Sequence, residues 1–124
     1  MLSVTSATRV LVATTPVDLR GSFNRLYGLV VEQLKGDPLS GHLFVFTNTR
    51  RNRIKVLYWD GTGLCLFAKR LEKGRFAAPW ERSREGALRW TMSELSLFLE
   101  GSDLVGRIRL SPEPWLPGAA RAAA

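Results

Sequence analysis

Arg50-Arg51-Asn52-Arg53-Ile54-Lys55-Val56-Leu57-Tyr58-Trp59-Asp60-Gly61-Thr62-Gly63-Leu64-Cys65-Leu66-Phe67-Ala68-Lys69-Arg70-Leu71-Glu72-Lys73-Gly74-Arg75 is the stretch on which the fold turns. Two runs rich in aliphatic and aromatic residues flank Asp60-Gly61-Thr62-Gly63, a composition that reads as a hairpin turn between strands. Pairing Trp59 with Leu64 across the turn sets Val56 opposite Phe67, Ile54 opposite Lys69, and Arg53 opposite Arg70. Like charges directly opposite destabilise a ladder. The chain therefore either separates these side chains in water or holds an anion between them. The expected binding site is the cationic edge formed by Arg50, Arg51, Arg53, Lys55, Lys69, Arg70, Lys73 and Arg75, and nucleic acid is the anion it suggests.

The distribution of charge supports that expectation. Net charge is +7 over 124 residues. Between Arg50 and Arg89 there are eleven basic residues against four acids, whereas the remainder of the chain balances at seven against seven. A local excess favours a polyanion-facing patch over general solubilising charge; the competing reading is a solvated face whose cations pair with nearby acids such as Glu72.

The flanking sequence reads as a single small α+β domain over residues 1–106, with a mostly antiparallel sheet of about four strands. Arg9 to Ala13 is a short strand ended by Thr14-Thr15-Pro16. Phe23, Leu26, Tyr27, Val30, Val31 and Leu34 recur at helical spacing and predict a helix over about 21–35, with Asp18 or Ser22 as its cap and Gly36 as its stop. Leu43 to Phe46 is a strand-type run. Gly74 to Gly86 reads as an irregular loop, after which Leu88-Arg89-Trp90 is a further short strand candidate. Thr91-Met92-Ser93-Glu94 matches a capping box and opens a short helix over about 92–100, stopped by Gly101. Residues 107–124, rich in Pro and Ala, read as a poorly ordered tail.

Composition also excludes classes. No apolar run approaches the roughly 20 residues of a membrane helix, and the first residues lack the order of a secretory signal, so a cytoplasmic protein is expected. Cys65 is the sole cysteine and reads as a small core residue. His42, the sole histidine, has no Cys or His companion at metal-ligand spacing and reads as a loop or strand-edge residue. Gly61 and Gly63 lack the following helix of a phosphate loop. Asp18, Asp37, Asp60 and Asp103 sit where turn and cap roles explain them, so a two-metal nuclease is disfavoured. No catalytic residue, metal, cofactor or small-molecule ligand is expected. Trp59 and Phe67 read as core, leaving Phe76 and Trp80 as the better candidates for exposed aromatic contacts.

Several of these runs resemble a known family. Asp37 to Phe46, Arg50 to Gly61 and Lys69 to Phe76 are similar to the small accessory protein, of TnpB type, encoded by the second open reading frame of insertion-sequence family sixty-six. Pro16-Val17-Asp18-Leu19-Arg20 and Glu94 to Gly101 extend the similarity, which covers about Val10 to Asp103. This chain has Val17 where the family pattern has threonine, and Ala68 where it has an aromatic residue. The resemblance implies a bacterial mobile-element protein that acts beside a separate transposase and brings no catalytic residues with it. The expected function is then a non-catalytic accessory factor in transposition that binds DNA, and the element-encoded transposase as a further partner. A protein-interaction module docking an acidic face of the transposase, a single-strand or RNA binder, and a metal-dependent nuclease are the competing readings.

Overall fold

Apolar runs of strand length, punctuated by Gly, Pro and Asp turns, produce β1 (Val10–Ala13), α1 (Phe23–Glu32), β2 (Leu43–Thr47), β3 (Arg53–Trp59), β4 (Leu64–Arg70), β5 (Ala87–Trp90) and α2 (Met92–Leu99). A 3-10 turn at Pro79–Glu81 interrupts the segment expected to be irregular. These elements come from a computed structural model that describes residues 8–83 and 86–101. The tail expected at 107–124, and the domain boundary at 106, lie outside the described residues.

The sheet order is β4-β3-β2-β1-β5, so the described residues form the expected mostly antiparallel sheet with one strand more than the four or so expected. β1 and β2 are parallel and every other pair is antiparallel. The fifth strand is the short candidate at 88–90, extended by Ala87; its pairing with β1, from Val10↔Trp90 to Ala13↔Ala87, covers an edge that β1 would otherwise expose. The hairpin register agrees with expectation from Trp59↔Leu64 through Val56↔Phe67 to Arg53↔Arg70.

Alternation along the strands divides the core in two. Val10, Val12, Leu43, Val45, Ile54 and Val56 meet Leu95 and Phe98 of α2 together with Phe76. Ala13, Phe44, Phe46 and Leu57 meet Leu26, Val30 and Leu34 on the α1 side. Gly36 stands where a Cβ would come within 2.7 Å of the Phe44 ring. The left-handed residue at the helix end is Lys35, with φ 53°, so Gly36 is required by close approach rather than by its backbone angle. Neither proposed cap bonds the α1 N-terminus: Ser22 occupies the cap position without a side-chain bond. At α2 the capping box forms as expected, Glu94 N–H donating to Thr91 Oγ1 and Thr91 N–H to Glu94 Oε1, each at 3.1 Å.

Three expectations about burial are overturned. Phe23, Tyr27 and Val31 of the expected helix face are exposed, because α1 turns only the Leu26–Val30 row inward and Leu34 completes it beyond the helix. Phe67 is 43% exposed, because it lies on the edge strand. Phe76 is fully buried instead of exposed, its ring 5.2 Å from that of Phe98.

Candidate nucleic-acid interface

The open end of the β3–β4 hairpin is assembled from three chain segments. Leu71 N–H donates to the Asn52 carbonyl at 2.8 Å and Phe76 N–H to the Arg51 carbonyl at 2.7 Å, fastening the segment after β4 to the β2–β3 loop. Val17 N–H donates to the Thr47 carbonyl at 2.9 Å, bringing Val17 to Arg20 to the same end. The loop itself is held by Asn48, whose Oδ1 accepts from the amides of Asn52 (3.1 Å) and Arg53 (3.0 Å), while its amide nitrogen donates to Asn52 Oδ1 at 2.7 Å. Arg51 takes a left-handed backbone, φ 58°. Asn48 thus fixes the backbone from which Arg50, Arg51 and Arg53 project.

The eight expected residues do not form one continuous rim. Arg53 and Arg70 face each other at the end of the ladder, as expected. Arg50, Arg51, Arg53, Lys73 and Arg75 form no side-chain hydrogen bond or ion pair among the described residues. Arg70 instead pairs with Glu72 at 2.8 Å. Lys55 Nζ donates to the Gly21 carbonyl at 2.9 Å, which ties the hairpin to the segment entering α1. Lys69 alternates onto the α2 side beside Ile54, and its Nζ donates to the Leu99 carbonyl. There its charge meets the negative end of the helix dipole. The two lysines therefore serve the fold.

Sequence reasoning did not place Arg20 beside the cationic edge. Arg20 lines a groove of about 570 Å³ with Asp18, Asn48, Thr49, Arg50, Asn52 and Arg53. Arg53 also lines a second groove, of about 330 Å³, with Lys55, Lys69, Arg70 and Glu72. Asp18 accepts from Arg20 Nε at 3.0 Å and from Nη2 at 2.6 Å; these bonds hold its carboxyl far below the usual carboxylate range. The motif Pro16 to Arg20 was visible in sequence, but nothing local placed it beside Arg53.

Other candidates resolve into local roles. Asp37 accepts from Leu39 N–H at 2.9 Å, and Asp60 accepts from the amides of Thr62 and Gly63, each at 2.9 Å. Those amides lower the Asp60 pKa to about 2. His42 Nδ1 accepts from Arg9 N–H at 2.9 Å, a strand-edge role. Cys65 is part-buried, and burial together with Asp60 pushes its thiol upward, away from the thiolate a nucleophile requires. Among the described residues no three His, Cys, Asp or Glu side chains gather as metal ligands, and no helix is long and apolar enough to cross a membrane.

Comparison with known proteins decides the family. The family described as IS66 Orf2 like protein matches residues 8–107. The chain belongs to that family. This IS66 Orf2-like protein is 39% identical over 112 residues to "Uncharacterized protein y4jC" of Sinorhizobium fredii, covering 90% of this chain and 93% of the relative. It is 41% identical over 109 residues to "Uncharacterized protein y4hO" of the same organism, covering 88% and 90%. No solved structure matches. Membership makes the protein an insertion-sequence accessory protein associated with transposition, in a family that is not a known enzyme family.

Proposed function

We propose that this IS66 Orf2-like protein is a non-catalytic, cytoplasmic accessory factor that grips duplex DNA during transposition of its element, using the open end of the β3–β4 hairpin. The observation that carries this reading is the convergence of three fastened segments: Arg20, Arg50 and Arg53 line one groove, and Arg53 and Arg70 line a second, with Asp18 and Glu72 as the acids in those linings. Phosphate oxygens suit such a surface, because Arg can grip them bidentately and Lys acts as a point charge. Of the eight residues expected from sequence, Lys55 and Lys69 leave the binding set because backbone carbonyls already hold them. Arg20 enters it.

Contact with about five phosphates should give a log–log salt slope of roughly −4 to −5 for the binding constant. Anisotropy titration of a labelled duplex across salt concentrations measures that slope. A flat slope, or no binding at low salt, overturns the reading.

A second reading, a protein partner such as the element-encoded transposase, is favoured by one observation. Phe23, Tyr27 and Val31 stand 41%, 37% and 48% exposed in one row of α1, a larger apolar surface than isolated surface residues present. Transposase pull-down that survives nuclease treatment and is lost in Tyr27→Asp supports it; pull-down lost with the nucleic acid opposes it.

A further inference from the structure

We infer that Arg20 and Arg70 read bases, each aimed by an acid two residues away, and that the group they select is the major-groove edge of guanine. This rests on the DNA-binding reading above and deepens it. Both arginines are engaged in the same manner. Arg20 presents Nε and Nη2 to Asp18, and Arg70 presents Nε (3.0 Å) and Nη2 (2.8 Å) to Glu72 Oε1. In each case the acid consumes the lateral edge of the guanidinium. Nη1 and the second hydrogen of Nη2 then remain as a pair of donors at its tip, since the group carries five N–H donors in a fixed plane. Both side chains face solvent, 90% exposed for Arg20 and 55% for Arg70.

An acid beside a residue that neutralises phosphate removes part of the charge on which that contact depends. A residue that must discriminate needs a fixed plane and direction, and a carboxylate supplies both. Asp18 is itself fixed, because its Oδ1 also accepts the Arg20 amide at 3.0 Å. Two parallel donors match the paired acceptors O6 and N7 of guanine; adenine offers N7 beside a donor and is rejected. Arg53 lines both grooves and has no partner among the described residues, so it stands between the two readers as a phosphate contact.

The test is selection of the full-length protein on a pool of random-sequence duplexes, followed by titration of the selected duplex with its enriched guanines replaced one at a time by 7-deazaguanine. That base lacks N7 and leaves pairing and phosphates intact. The expected result is guanine enrichment and a roughly five- to hundredfold weaker Kd on replacement of a contacted guanine. R20K and R70K should each abolish this sensitivity at their own positions, because lysine keeps the charge but lacks the paired donors. Duplex binding without enrichment, or with indifference to 7-deazaguanine, overturns the inference and leaves the DNA-binding reading standing. Absence of duplex binding at low salt overturns both.

Discussion

The two ends of the β3–β4 hairpin share a ladder and differ in how their charges are met. At the closed end Asp60 accepts from the Thr62 and Gly63 amides and the Thr62 hydroxyl, so its acid is satisfied by its own turn. At the open end Arg53 faces Arg70, and among the described residues Glu72 alone bonds to the side chains of the pair. Side-chain chemistry at the first end completes the fold; at the second it works against the ladder. A surface that costs stability and is not self-satisfied is where an external anion has most to contribute.

The sharpest way to break this contrast is charge reversal at the open end. Arg53→Glu combined with Arg70→Glu should weaken duplex binding roughly a hundredfold or more near physiological salt, since two cationic contacts to the duplex become repulsions. The circular dichroism spectrum should stay native, because both side chains are exposed. Retained affinity in anisotropy titration would remove the open end as the contact surface.

Neutralising Arg53 alone is the next largest change. Arg53→Met should reduce the magnitude of the salt slope by about 0.9, the share of one phosphate, and raise the melting temperature slightly, because the repulsion across the Arg53–Arg70 pair is relieved. Lys69→Met should do the reverse. It removes the bond to the Leu99 carbonyl and should lower stability by about 1 kcal/mol, read by urea titration, with the salt slope intact. A slope change in the Lys69 variant would return that lysine to the binding set.

The smallest effect belongs to the closed end. Asp60 titrates near 2 when folded, below its unfolded value of about 3.9, so the stability it contributes is present above about pH 4 and is lost as pH falls towards 2. The difference in melting temperature between wild type and Asp60→Asn should therefore shrink across that window. A difference that persists unchanged at pH 2 would show that the carboxylate's charge is not what holds the turn.

Legibility from sequence followed the range of the interactions. The hairpin register was readable because Asp60 to Gly63 sets it locally, and the capping box at Thr91 and Glu94 because both partners lie within one turn. Burial of Phe67 and Phe76 was misread in opposite senses, since neither is decided locally. β4 is a sheet edge, and Phe76 is covered by Phe98 of a helix still to come in the chain. In α1 two interleaved rows carry the same apolar residue types, and only packing selects Leu26 and Val30 over Phe23, Tyr27 and Val31. The cationic site was half legible for the same reason. Its two strands were evident, whereas Arg20 arrives through the Val17 to Thr47 bond and Lys69 leaves through alternation onto the other face.

The β1–β5 pairing has a consequence for synthesis. Val10, near the start of the described chain, takes Trp90 as its neighbour, so β1 emerges from the ribosome long before the strand that seals its outer side. Until then a nascent β1 has an unpaired flank open to other growing chains. Folding is thereby completed late, after nearly all of the described residues have been translated.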